Sequence, residues 1–309
     1  MELIGNTFAF PWEVDLMSRL QSSLPDSLIS VISKLSFFGE EIFLLIVLGF
    51  VYWCWDKQAG RRLGISVLMI NAWAPMIKNI ALRRRPYMDH EQITIKRMVE
   101  RGADPMDISA QGYSFPSQHT ANASGVMTAS SMIFKKRWIT CIAVILPLLV
   151  AFSRVVVGAH YPTDVIFGWA FGIVVPIIVS VLDSKIADRR IFYGILLATV
   201  LPGLFYCRSA DYFTGLGLLI GFICAVGVEE KYVRFENTRS PVRSVLRVIG
   251  GGVIFLGLNT LLKLPFSKDF LNSRTLAALL VRCARYAIAS FTLFAVYPIS
   301  FKYTAKIGK

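Results

Sequence analysis

The chain has 309 residues, 55% of them hydrophobic and 17% charged, with a formal net charge of +13 and a mean hydropathy of +0.56. These proportions exclude an ordinary soluble domain and place the chain in a bilayer. The positive charge does not indicate nucleic acid as a partner, because the Lys and Arg residues are spread over short loops instead of being gathered on a polar module.

Residues 1–36 carry Pro11, Pro25 and scattered charges and lack the pattern of a cleaved signal peptide. They are expected to form an extracytoplasmic interfacial segment. Nine apolar stretches follow, at 37–55, 63–82, 117–134, 138–157, 162–182, 191–207, 212–228, 248–265 and 276–301. Each approaches the roughly 20 residues that a helix needs to cross a hydrocarbon core of about 30 Å. The expected fold is an all-α polytopic transmembrane helical bundle of about nine spans. Residues 37–190 are expected to form the core of this domain, and 191–309 to add further spans to it.

Cations mark alternate loops: Lys57, Arg61 and Arg62; Lys135 to Arg137; Lys185, Arg189 and Arg190; five between Lys231 and Arg247; and Lys302, Lys306 and Lys309. Such loops face the cytoplasm, which puts 83–116 and 158–161 outside. Loop 83–116 is nevertheless basic, and cations on the translocated side need a reason other than topology.

Ionisable residues at membrane depth are costly and mark function. Lys78 and Arg85 are seven residues apart, so a helix continuing through both would put them on one face, where a point charge and a planar fork could grip one anion. Pro116-Ser117 reads as a helix start, with Ser117 at the cap, free backbone N–H groups and a positive dipole end. His119 follows in the first turn. Arg154 precedes His160 by six positions and Asp164 follows it by four, so the carboxylate can fold back on the imidazole and fix its tautomer. His160 is then the nucleophile and His119 the acid for a leaving oxygen. Three cations suit three phosphate oxygens. No metal or other cofactor is expected, since no carboxylate cluster lies outside to hold one.

These residues fall into three patterns: Lys78 with Arg85-Pro86, Pro116-Ser117-Gln118-His119, and Ser153-Arg154 with His160 and Asp164. In order and spacing the chain resembles the type 2 phosphatidic acid phosphatase superfamily. That resemblance implies a helical bundle that hydrolyses a phosphate ester through a phosphohistidine. It also implies that Lys78, Arg85, Ser117, Gln118 and Arg154 bind the phosphate. Gln118 stands where the family has Gly; the family uses that position's backbone N–H, which Gln retains. The nine-span topology is also similar to that of glucose-6-phosphatases and sphingosine-phosphate phosphatases.

The third histidine, His90, lies between Asp89 and Glu91 and reads as a solvated or carboxylate-paired loop residue. Arg282 and Arg285 share a helix face and are expected to pair with Glu40 or Glu41, the sharper alternative being a second anion contact. The five cysteines have no metal spacing and read as small apolar residues. Gly250-Gly251-Gly252 lacks the Lys-Ser/Thr of a P-loop and reads as a close helix contact. The expected activity is metal-independent hydrolysis of a lipid phosphomonoester or diphosphate. A lipid-dependent phosphotransferase, a sugar-phosphate phosphatase and an anion transporter remain alternatives. The expected location is a bacterial plasma membrane, among membrane lipids, with the site facing outside.

Overall fold

The computed structural model describes residues 5, 8–98 and 102–304; Lys306 and Lys309 lie outside these. Among the described residues every regular element is helical. In chain order they are α1 (Pro11–Ser23), α2 (Asp26–Ser33), α3 (Glu41–Phe50), α4 (Lys57–Ala81), α5 (Pro86–Asp89), α6 (Ile108–Gln111), α7 (Gln118–Phe134) and α8 (Arg137–Val156). There follow α9 (Pro162–Lys185), α10 (Arg189–Val200), α11 (Gly203–Tyr206), α12 (Ala210–Val228), α13 (Pro241–Leu261), α14 (Lys268–Asn272), α15 (Leu276–Phe291) and α16 (Phe301–Thr304).

Among the described residues six helical stretches are long and apolar enough to cross a membrane, and the pair Asp26–Gly39 and Glu41–Trp55, bent by 45°, makes a seventh candidate. Two of the nine expected spans fall short for physical reasons. Helix α7 has 17 residues, and its first turns carry Gln118, His119, Thr120, Asn122 and Ser124. Helix α10 has 12 residues and stops at Val200, two residues before Pro202, so the stretch 191–207 is broken.

The chain divides into two compact units. One comprises Met1–Glu41 with Ala74–Val175, and the other Ile42–Trp73 with Pro176–Lys309. All candidate site residues belong to the first. There α7 and α9 approach closely because Gly168 and Gly172, one turn apart, present bare backbone to the carbonyls of Ser117 and Ala121; a Cβ at either position would collide with them. Helix α1 is fixed by Val14 and Met17, which pack with Ile93, Ala151, Val155, Tyr161 and Val165. The turn from α8 to α9 passes through Gly158 at φ +78°, where a side chain would strike the Thr94 carbonyl.

In the second unit α12 and α15 pack through Gly217 and Gly221, set against the backbone of Cys283 and Ala287. Arg61 and Arg62 both bond Asp183, at 2.8 Å each. Of the triple glycine, Gly250 meets Tyr297 and Gly251 meets Trp53, while Gly252 faces open space. The cysteines are all free; Cys54 and Cys207 are buried, whereas Cys141 and Cys224 are exposed.

Candidate active site

Lys78 and Arg85 do meet, though not on one helix. Helix α4 ends at Ala81, and Leu82 turns the chain with φ +50°. Arg85 then caps α5. The two cations converge on the Tyr113 carbonyl, which accepts from Lys78 Nζ at 2.9 Å and Arg85 Nη2 at 3.5 Å. The Arg85 fork is anchored by the carbonyls of Gln111, Gly112 and Ala159 at 2.7 to 3.0 Å. Its Nη1 also lies 3.3 Å from His160 Nε2.

That contact fixes the imidazole. A guanidinium can only donate, so Nε2 accepts and the ring proton sits on Nδ1, which faces Asp164 Oδ2 at 3.6 Å. This separation is too long for a hydrogen bond, and His160 Nδ1 has no other partner among the described residues. Asp164 is held back by competing donors: Oδ2 accepts from the Tyr161 N–H at 2.8 Å and Oδ1 from Arg83 Nη1 at 2.6 Å. Catalytic hydrogen bonds that are long without substrate commonly tighten when it binds.

Arg83 and Glu13 have no place in the expected constellation, yet both are fully buried behind it. Arg83 Nη2 pairs with Glu13 Oε2 at 2.7 Å, so one guanidinium bridges Glu13 and Asp164. Arg83 is stacked between the rings of Phe8 and Tyr161, and its Nε donates to the Phe8 carbonyl. Glu13 Oε1 accepts from both the N–H and hydroxyl of Thr163, at 2.9 and 2.6 Å. Burial acts to raise the Glu13 pKa, but these hydrogen bonds, the Phe10 N–H and the Arg83 charge outweigh it and hold the carboxyl below its ordinary value. The only sequence signal was Arg83's place in the run Arg83-Arg84-Arg85; Glu13 gave none.

The remaining members close around His160. Arg154 is 2% exposed and its Nε is buried without a hydrogen-bond partner, so a guanidinium is present with donor capacity unused. Burial pushes the His160 pKa well below the ordinary imidazole value, and the charges of Arg85, Arg154, Lys78 and His119 add to this. The ring is therefore neutral near pH 7. Ser117 donates its N–H to the Asp164 carbonyl at 3.1 Å, tying the start of α7 to that of α9. Ser117 stands at the N-cap of α7 as expected, but its hydroxyl meets Thr120 Oγ1 at 3.1 Å and makes no capping bond. Gln118 and His119 are half-buried and open α7, where first-turn N–H groups have no partner within the helix. Gly39 packs on the His119 backbone.

Other expectations change. His90 is not simply solvated: it is half-buried and packs edge-on against Tyr161, with ring centroids 6.0 Å apart, while Asp89 pairs with Arg84. Glu40 pairs with Arg97 at 2.6 Å. Arg285 instead donates to Asn259 and Arg282 to Thr214. Among the described residues no group of three or more His, Cys, Asp or Glu side chains is disposed to hold a metal ion.

Comparison with known proteins gives a consistent set of likenesses. Residues 59–187 match the PAP2 superfamily, and residues 213–307 match the transmembrane extension of PAP2 superfamily phosphatases. The chain is 30% identical over 174 residues to an undecaprenyl-diphosphatase of Bacillus subtilis, a stretch covering 54% of this chain and 77% of that protein. It is 30% identical over 173 residues to a decaprenylphosphoryl-5-phosphoribose phosphatase of Mycobacterium tuberculosis, covering 54% and 89%. A lipid phosphate phosphatase of Arabidopsis thaliana is 24% identical over 294 residues, covering 85% and 67%. No solved structure matches the chain at comparable significance.

Proposed function

The chain belongs to the PAP2 superfamily, and from that premise we propose that it hydrolyses a lipid phosphate through a phosphohistidine on His160. It is an integral, multi-pass membrane protein and a phosphoric ester hydrolase of lipid phosphates. The observation that carries the mechanism is the line Arg85–His160–Asp164, in which Nε2 faces a cation and Nδ1 faces a carboxylate.

In the first step His160 Nε2 attacks phosphorus while the bond from phosphorus to the ester oxygen breaks. His119 gives its proton to that oxygen as it leaves. Asp164 accepts the Nδ1–H and stabilises the positive charge that the ring acquires. In the second step His119, now neutral, takes a proton from water; the water oxygen bonds to phosphorus, the P–N bond breaks, and inorganic phosphate departs. Lys78, Arg85 and Arg154 neutralise the phosphoryl oxygens throughout, with the Gln118 N–H in the first turn of α7 and the Ser117 hydroxyl completing the cradle. These cations supply charge stabilisation without a metal. Arg83 and Glu13 are positioning residues: Arg83 holds Asp164, and Glu13 holds Arg83.

We take a polyprenyl-linked phosphate or diphosphate as the substrate class, since two of the relatives are named for such lipids. The alternation of basic loops supports an outer catalytic face, and the bacterial relatives support a bacterial plasma membrane. Residues 37–190 then form the catalytic core and 191–309 the extension, after an N-terminal segment 1–36. Purified protein should release free phosphate from undecaprenyl diphosphate in excess chelator and be inhibited by vanadate, which can occupy a trigonal phosphoryl site. A strict magnesium requirement, or transfer of the phosphoryl group to an acceptor other than water, would overturn this reading.

A further inference from the structure

The second unit contains a cavity of about 800 Å³ whose wall carries Arg234, Arg243, Arg247 and Lys302 against one carboxylate, Glu236. Arg247 is the most buried of them, at 5% exposure. Its Nη1 donates to the carbonyls of Trp53 and Glu236 at 2.6 and 2.9 Å, and its guanidinium lies 4.0 Å over the Phe301 ring. Its Nε is buried with no hydrogen-bond partner, and no carboxylate pairs with it among the described residues.

The contrast with nearby cations is informative. Arg61 has Asp183 and Lys57 has Glu229, at 2.8 and 2.9 Å. A buried guanidinium without a counter-ion is strongly unfavourable, and a ring face offsets only part of that penalty. Arg243 is half-buried, while Arg234 and Lys302 are exposed, so positive charge runs from a buried position to the open rim. The rim is also amphipathic. Tyr232 in the wall is 70% exposed and Ile299 is 46% exposed. Tyr303, beside Lys302, is 74% exposed. Tyrosines of this kind sit at membrane–water interfaces.

We propose that this cavity binds the phosphate of an anionic phospholipid headgroup, with the acyl chains leaving across the apolar rim. Guanidinium forks suit phosphate oxygens, and basic pockets between transmembrane helices on the cytoplasmic side take such headgroups. The cavity lies among loops that the charge alternation assigns to that side. It thereby gives the C-terminal extension a ligand, and does so independently of the catalytic residues, all of which lie in the first unit.

The test uses full-length protein, delipidated in detergent and probed with phosphatidylglycerol, phosphatidylcholine or inorganic phosphate. Binding is read by native mass spectrometry and by the unfolding midpoint. Phosphatidylglycerol should be retained and should raise the midpoint, and phosphatidylcholine should do neither. The double variant Arg243→Gln/Lys302→Gln, which spares the buried Arg247, should bind phosphatidylglycerol at least about tenfold more weakly and still hydrolyse a soluble nitrophenyl phosphate at the wild-type rate. Lys78→Met should bind the lipid normally. Unaltered lipid binding in the double variant, equal binding of phosphatidylcholine, or loss of binding in Lys78→Met would overturn the proposal. So would the same stabilisation by inorganic phosphate alone, which would identify the ligand as the free ion.

Discussion

Glu13 lies outside all three sequence patterns, so its replacement tests whether the buried bridge to Asp164 matters for catalysis. Glu13, Arg83 and Asp164 are fully buried, with ion-pair distances of 2.7 and 2.6 Å. Two unit charges about 4 Å apart at an effective dielectric near 20 interact by about 4 kcal/mol, and removing one partner of a buried pair costs about 3 to 5 kcal/mol. Arg83→Met would strand two carboxylates and endanger folding. Glu13→Gln is the milder change: the amide oxygen still accepts from Thr163, but the amide nitrogen faces Arg83 Nη2, so Arg83 loses one anchor and Asp164 loses its fixed support. The His160–Asp164 separation is already 3.6 Å, and a further misplacement on the order of 1 Å costs roughly 100-fold in rate. The assay is single-turnover formation of phosphoenzyme, with vanadate binding as the check that the pocket is intact. We expect a kcat loss of ~10- to 100-fold, little change in KM, and no relief with a good leaving group, because the defect lies in the nucleophile. Normal turnover in a folded, vanadate-binding Glu13→Gln protein would refute the reasoning.

His119→Ala should behave oppositely, losing turnover on a lipid phosphate yet retaining much of it on a nitrophenyl phosphate, whose departure needs little protonation; equal losses on both would remove His119 from the acid role. Because His160 must be neutral to attack and its pKa lies well below the ordinary imidazole value, kcat/KM should hold as pH falls through 6.5 and decline only at lower pH. Lys78→Met removes one of the depressing charges, so its acid limb should move upward with the same substrate; an unmoved limb would detach Lys78 from the nucleophile. For topology, single cysteines at Glu91 and Lys136, both exposed, should react with an impermeant reagent on intact cells at residue 91 and not at 136. The converse would invert the orientation.

The gathering of Arg154, His160 and Asp164 was legible because the fold preserves short-range spacing: they lie on one helix end, one turn and one helix start. The meeting of Lys78 and Arg85 was anticipated for the wrong reason. A continuous helix was assumed, whereas Leu82 at φ +50° breaks it and the Tyr113 carbonyl gathers the two cations. Glu13 and Arg83 were invisible because a pair 70 residues apart leaves no periodic trace; only tertiary packing joins them. The same pairs account for the basic character of loop 83–116. Arg83 is bonded to Glu13 and Asp164, Arg84 to Asp89, Lys96 to Asp26 and Arg97 to Glu40, so these cations are internal partners and not free loop charge. Helix α7 was anticipated at nearly its observed bounds, but not the burial of its polar first turns against α9 by Gly168 and Gly172, a contact that hydropathy does not register.

The central claim is that the phosphoryl group passes through His160. Wild-type protein mixed with substrate for milliseconds, quenched without acid and digested for mass spectrometry should carry phosphate on residue 160. His160→Ala should carry none, while His119→Ala given a nitrophenyl phosphate should accumulate it. Phosphate on residue 119 in the His160→Ala protein, or full turnover by the wild type with no phosphoenzyme at any time, would contradict the account.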